Sequence, residues 1–247
     1  SIQPAQMDYF QATKASGNGG FQMLVFAPSS VQEAVDMTYA AFDYADRDRN
    51  PVLILADGVI GTMMEPVVLP EMKSDEEVAA IKASKQSWAC VGHKLDYAHR
   101  SWIEPGHWRT EDMQKANDAA ALYRSWQKDV QVEEYRLEDA EVVLTGYGIS
   151  GRICKSAVDI LRAQGIKAGL IRPITVNPFP YAAYDHIDYG RVKAVLDVEM
   201  SIPAQFVRDV MVGVKDRCPI ETCLCSGGNI MSREKVLAAA KKIVEGK

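Results

Sequence analysis

The stretch Val142-Val-Leu-Thr-Gly-Tyr-Gly-Ile-Ser-Gly151 sets an apolar run ahead of three glycines, and behind them Ile153, Ala157, Ile160 and Leu161 recur at helical spacing. The run reads as a buried strand, the glycines as a tight strand-to-helix turn, and Gly165 as the residue that ends the helix. Lys167 to Ile171 and Val192 to Val198 read as two further strands. Ser201 and Pro203 suit the start of a helix that carries Ile202, Phe206, Val210 and Val214 inward. A short strand near Pro219 to Leu224 precedes a last helix with Val236, Leu237, Ala240, Ile243 and Val244 on one face. Strands alternating with helices in this way make an α/β domain.

Toward the N-terminus, Phe21-Gln-Met-Leu-Val-Phe26 reads as a short buried strand. Ser30-x-x-Glu33 has the pattern of a capping box, and Val31, Ala34, Val35, Thr38, Ala41, Phe42 and Ala45 follow at helical spacing. The charged turn from Asp46 to Asn50 ends that helix, and Val52-Leu-Ile-Leu-Ala56 is a second strand closed by Asp57-Gly58. Strand, helix and strand in this order make a right-handed parallel crossover. From about Val67 to Thr110 prolines and weak periodicity suggest a connecting arm, and a long polar helix is expected over Glu111 to Glu134. His93, His99 and His107 fall in the arm; their spacings set up no common helical face, so they read as surface or interface histidines.

The 247 residues suffice for one large or two medium domains. A net charge of −5, with Lys and Arg scattered, gives no field for holding nucleic acid. No apolar stretch approaches the ~20 residues that span a bilayer, and Ser1-Ile2-Gln3-Pro4 has no secretory pattern. Cys90, Cys154, Cys218, Cys223 and Cys225 lack both disulfide-framework and cluster spacing. Reduced thiols in a cytoplasmic protein fit that pattern.

Gly146-x-Gly148-x-x-Gly151 lies where a dinucleotide fingerprint would cradle a pyrophosphate. The acidic residue such a site wants about 20 positions on is absent, because the next strand ends Ile171-Arg172-Pro173. Arg172 would instead read a 2′-phosphate, which keeps NADP open beside the favoured reading of a purely structural turn. Asp57 stands at the carboxyl end of its strand, where parallel sheets put ligands, yet Asp-Gly is also a turn former.

Taken together, Pro4-Ala-Gln-Met-Asp-Tyr-Phe-Gln-Ala12, Ala27-Pro-Ser-Ser-Val-Gln-Glu33, Asn50-Pro-Val-Leu-Ile-Leu-Ala-Asp-Gly58, Met63-Met-Glu-Pro66, Ile171-Arg-Pro-Ile-Thr-Val-Asn-Pro-Phe-Pro180, Asp197-Val-Glu-Met200 and Ser226-Gly-Gly228 span nearly the whole chain. In order and spacing they resemble the alpha-type subunit of 2-oxoacid:ferredoxin oxidoreductases, nearest the 3-methyl-2-oxobutanoate (2-oxoisovalerate) branch. The resemblance implies part of a thiamine-enzyme pyrimidine-binding domain over residues 1–72, a connecting arm and helix over 73–136, and a transketolase C-terminal-like α/β domain over 137–247. It also implies that Ser1 falls partway through the first domain, after the segment bearing the glutamate that protonates the thiamine pyrimidine ring.

In such enzymes a 2-oxoacid is decarboxylated oxidatively to acyl-CoA, and electrons pass to ferredoxin. Thiamine diphosphate would be shared with a beta subunit that holds the diphosphate and Mg²⁺. The triplet here is Ala56-Asp57-Gly58 rather than Gly-Asp-Gly, and residues 82–88 offer no asparagine for Mg²⁺. Iron–sulfur clusters and the CoA site would lie on other parts of the complex, with ferredoxin-type gamma and delta subunits, in a dimer of heteromers. The chain alone is expected to be inactive. Gln6, Asp8, Lys14 and Asp57 are the residues the resemblance and strand-end position put near substrate or cofactor. Met7 departs from the family's Gln-Gly-Asp, and Gly17-Asn18-Gly19-Gly20 departs from its Gly-His-Gly-Asp. Two alternatives remain: an NADP-binding dehydrogenase domain built on the Gly146–Gly151 turn, and a non-catalytic assembly module.

Overall fold

The computed structural model describes residues 3–15, 17–18, 20–86, 88–89 and 110–246. Cys90, His93, His99 and His107 lie outside the described residues. Two compact units emerge, one of Ser1–Val68 with Leu122–Lys247 and one of Leu69–Ala121. No helix among the described residues is long and apolar enough to cross a membrane.

The first unit opens with the short helix α1 (Tyr9–Thr13), then β1 (Leu24–Phe26), α2 (Val31–Asp48), β2 (Val52–Ile54) and α3 (Gly58–Thr62). Strand β1 pairs parallel to β2, as the crossover pattern implies. Ser30 caps α2 by accepting from Glu33 N. The reciprocal arm differs from the expected box, because Glu33 Oε2 accepts from Ser29 N and Oγ while the same carboxylate holds Arg172. The inward face of α2 is also rotated from the expected one. Thr38 is exposed and Phe42 is 69% exposed, whereas Met37 and Tyr44 pack with Leu24, Phe26 and Trp126. The stripe that counts ends at Asp48, whose Oδ2 accepts from Trp126 Nε1 at 2.8 Å.

The unit continues from the end of α5 (Thr110–Ser125) through a 3₁₀ turn (Trp126–Asp129) into β3 (Val132–Tyr135). The expected continuous helix to Glu134 thus stops early, because 132–135 pair antiparallel with β5 (Ala168–Pro173). Strands β3, β5, β4 (Val142–Thr145), β7 (Ala194–Glu199) and β8 (Ile220–Leu224) form one sheet in that order, parallel except for β3. Helices α6 (Gly148–Ala163) and α7 (Val207–Val214) supply crossovers between parallel neighbours, and α8 (Arg233–Glu245) follows the last strand. Phe206, Val210 and Val214 are buried as expected, but Ile202 is 53% exposed. Helix α7 begins later than the sequence suggested, since the Glu199 carboxylate accepts from Gln205 N, Phe206 N and Val207 N and fixes its start there.

One element joins the halves. Strand β6 (Thr175–Asn177), which no periodicity announced, leaves the second sheet and pairs antiparallel with β1, giving a three-stranded sheet β2-β1-β6. Tyr9 and Val25 from the first half then share one buried cluster with Tyr147, Ile171 and Phe206 from the second. The second unit contains α4 (Asp75–Lys85), opened by a complete capping box of Ser74 and Glu77. That signal was present in the sequence although apolar periodicity was not.

Arg172, 4% exposed, ties three elements together. Its guanidinium is bidentate to Glu33 on α2 at 2.8 and 3.0 Å, and its Nε donates to Glu133 on β3 at 2.6 Å. Burial would raise the Glu133 carboxyl, but hydrogen bonds from Lys155 and Arg172 hold it below its ordinary value. Removing one partner of such a set leaves charges facing each other without compensation. Arg172→Met is expected to lose about 3 kcal/mol in urea unfolding, and an unchanged midpoint would show the network to be dispensable.

Candidate functional site

The head of α6 follows directly from the glycine turn. Tyr147 occupies the N-cap position and gives no side-chain cap, which would leave the first N–H groups of the helix without acceptors. The acceptor comes from 92 residues away: Asp57 Oδ2 receives Ile149 N at 3.0 Å. The other oxygen, Oδ1, receives Val59 N and Ile60 N at 3.0 and 3.1 Å, so the same carboxylate caps α3. Asp57 is 8% exposed, and both of its oxygens are engaged by backbone.

Gln6 completes this bracket. Its Oε1 accepts from Ser150 Oγ at 2.7 Å and Met200 N at 2.9 Å, and its Nε2 donates to Tyr147 O at 2.9 Å. Tyr147 in return donates its hydroxyl to Gln6 O at 3.0 Å. The N-terminal segment is therefore stitched onto the head of α6 by a buried polar network in which the Gln6 side-chain oxygen and nitrogen both have partners.

These contacts decide the reading of the glycine turn. Gly148 has φ +55°, and a Cβ there would lie 2.9 Å from Asp57 Oδ2 and 3.2 Å from Gln6 Nε2. At Gly146 a Cβ would lie 2.8 Å from Val198 O, and at Gly151 the same distance from the Arg172 stem. Each glycine makes room for the protein's own atoms. The anion that a pyrophosphate would supply at the helix N-terminus is already present as Asp57, and Arg172 is committed to two glutamates. The NADP alternative is overturned on this geometry.

Lys14 and Asp8 stand elsewhere on the same N-terminal segment. Lys14 Nζ lies 2.9 and 2.8 Å from the two oxygens of Asp209 on α7. Asp8 precedes α1 and helps line a cleft of about 400 Å³ with Gln11, Ala12, Ala15, Phe21, Met23 and Leu53. The lining is mostly apolar, its one charged side chain is anionic, and it therefore suits an apolar group better than a diphosphate. The structure thus brings Gln6 and Asp57 together at the head of α6, seats Lys14 on Asp209 and places Asp8 at the cleft.

Thiamine diphosphate tests the donor set directly. Its Mg²⁺ takes hard oxygen ligands, yet among the described residues no three His, Cys, Asp or Glu side chains converge. Glu65, like Asp57, is engaged, accepting from Arg152 Nη2 and Val31 N. The described residues do not fit the diphosphate end of this coenzyme.

Sequence reasoning passed over Asp197, which lies at 0% exposure opposite Thr145 in the β4/β7 pair. Neither carboxyl oxygen has a hydrogen-bond partner among the described residues. Burial, then the neighbouring Glu199, push this carboxyl well above the usual carboxylate range. An Asp between Leu196 and Val198 in a buried strand was the available signal.

Gly148→Ala combines a left-handed backbone with a contact on a fixed carboxylate and should lose about 2 kcal/mol or more, read as the urea midpoint. Asp57→Ala should lose about 1–2 kcal/mol through the two helix starts it caps. For Asp197 the raised folded-state value means that the native state holds a proton the unfolded chain releases, so stability is fully present below the unfolded value near 3.8 and falls as pH rises. Asp197→Asn should flatten that decline as pH rises above the unfolded value; parallel midpoint curves for the two proteins would exclude it.

Comparison with known proteins completes the picture. Residues 1–135 match the family described as pyruvate flavodoxin/ferredoxin oxidoreductase, thiamine diP-bdg, and residues 140–236 match pyruvate:ferredoxin oxidoreductase core domain II. The ketoisovalerate oxidoreductase subunit VorB of Methanothermobacter marburgensis is 37% identical over 98% of this chain and 66% of its own length. The 2-oxoglutarate synthase subunit KorA of Methanocaldococcus jannaschii is 31% identical over 80% of this chain and 57% of its own. A solved 2-oxoglutarate:ferredoxin oxidoreductase from Magnetococcus marinus shares the fold with a TM-score of 0.72 at 18% identity, covering 98% of this chain and 46% of that one. The chain spans about two thirds or less of these relatives' lengths, and over that span two consecutive family segments carry it. It belongs to the pyruvate flavodoxin/ferredoxin oxidoreductase family.

Proposed function

We propose that this chain is the alpha-type subunit of a 2-oxoacid:ferredoxin oxidoreductase of branched-chain preference. The reaction is oxidative decarboxylation of ketoisovalerate (3-methyl-2-oxobutanoate) to its acyl-CoA, with electrons leaving to ferredoxin. The observation that carries this reading is the 37% identity to a ketoisovalerate oxidoreductase subunit across 98% of the chain. In this reading residues 1–72 are part of a pyrimidine-binding domain, 73–136 an arm and helix, and 137–247 a transketolase C-terminal-like domain.

The carboxylates support a divided site. Asp57 and Glu65 are occupied by backbone N–H groups and Arg152, so Mg²⁺ and the diphosphate fall to a beta subunit. Iron–sulfur clusters and CoA then belong to the rest of the complex, with gamma and delta subunits and ferredoxin as partners, in a dimer of heteromers in the cytoplasm. A coenzyme of this kind supplies the electron sink for decarboxylation. This chain's part is to bind and orient. Lys14, whose side chain is 43% exposed, offers a cation to the substrate carboxylate, and Asp8 with the apolar cleft stands nearby on the same segment. Gln6 and Asp57 act by holding that segment in place.

Assembled with its partner subunits, the full-length chain should reduce a viologen dye with ketoisovalerate and CoA, and should do so with a higher kcat/KM than with 2-oxoglutarate. Dye reduction by the isolated chain would overturn the divided site. Lys14→Ala should raise the KM for ketoisovalerate about tenfold or more, the value of one charge-assisted hydrogen bond; an unchanged KM would remove Lys14 from the substrate.

A further inference from the structure

Outside the head of α6, the Asp209 carboxylate gathers partners from distant parts of the chain. It sits on α7 with its side chain 3% exposed. Three side chains from two other elements converge on it. Tyr9 of α1 donates its hydroxyl to Oδ2 at 2.6 Å, and Tyr181, in the 3₁₀ turn Tyr181–His186, donates to Oδ1 at 2.5 Å. Lys14, the residue that ends α1, brings its ammonium to both oxygens. An ordinary buried ion pair would close with one partner, whereas here two neutral hydroxyls share the carboxylate with a cation that remains nearly half exposed.

That arrangement has a consequence for the lysine. A lysine ammonium carries three donors on a stem of four rotatable bonds. The Asp209 oxygens, 2.9 and 2.8 Å away, restrain the stem, while the lysine side chain stays 43% exposed and open to a further acceptor. The Tyr9 and Tyr181 hydroxyls spread the carboxylate's negative charge, so that an approaching anion meets the fixed ammonium more than the carboxylate behind it. The anchor belongs to the second family segment and the cation to the first. Nearby, Gln205 adds a second tie across the same junction, its side chain accepting from Phe10 N and donating to Met7 O.

We propose that Asp209 is a positioning residue, which holds the Lys14 ammonium in place for the carboxylate of the 2-oxoacid, with Tyr9 and Tyr181 completing its seat. The inference rests on the reading that Lys14 meets the substrate. It assigns to the second segment a direct part in substrate affinity: freeing Lys14 leaves its charge intact but makes its ordering a cost of binding.

The test uses the assembled complex and ketoisovalerate. Asp209→Asn keeps size and shape and weakens the hold on the ammonium; it should raise KM about tenfold, equivalent to about 1.4 kcal/mol, while kcat stays within about twofold of the parent, since a positioning residue acts on ground-state and transition-state binding alike. Combined with Lys14→Ala, it should add little further to KM, because both changes remove one unit. A purely structural Asp209 would instead lower kcat in the assembled complex and add to Lys14→Ala in full. That result, or an unchanged KM, overturns the proposal. If Asp209→Asn does not assemble, Tyr181→Phe removes one donor without touching Lys14 and should raise KM about two- to threefold; no rise counts against the proposal. A Lys14→Ala complex with unchanged KM would sink the underlying substrate reading itself, whereas a raised KM there with none in Asp209→Asn sinks this inference alone.

Discussion

The carboxylate of Asp57 is the point on which the first unit depends. A buried anion is strongly unfavourable unless its oxygens are satisfied. Here three backbone N–H groups, two from the start of α3 and one from the start of α6, converge on it. Both helix termini also present the positive ends of their peptide dipoles. The requirement works in both directions: α6 has no cap of its own, and Asp57 has no solvent to turn to. Gly148, at φ +55°, is the residue that allows the approach.

The same device recurs around the unit. Glu199 accepts three N–H groups at the start of α7, and Glu65 accepts Val31 N at the start of α2 while pairing with Arg152 on α6. Helices α6 and α7, whose own N-cap residues lend no side chain, are started by carboxylates on neighbouring elements. A carboxylate used in this way holds geometry and is poorly placed to bind a metal or transfer a proton. Asp57, Glu65 and Glu199 therefore act as fasteners among the described residues.

The fasteners also explain why two family segments form a single unit. Strand β6 pairs with β1, Gln6 is locked to Tyr147, Ser150 and Met200, and Asp209 gathers Tyr9 and Lys14. The N-terminal segment, which carries the exposed cation, is thereby held by the second segment along its length.

By itself the sequence determined the alternation of strands and helices, the position of β1, β2, β4, β7 and β8, the end of α6 at Gly165, and, through several short phrases in fixed order, the family. Those features are local: apolar period, glycine and cap chemistry are written within a few residues. What the tertiary structure decided was every assignment that depends on a distant partner. The rotated face of α2 follows from Trp126 and Asp48, the late start of α7 from Glu199, and the edge strands β3 and β6 from pairing with β5 and β1. The glycine turn is the sharpest case, since a phosphate cradle stays open beside the favoured structural turn at Gly146-x-Gly148-x-x-Gly151 until Asp57 is seen within hydrogen-bond distance of Ile149 N. A helix N-terminus needs an anion, and only the folded chain shows that it brought its own.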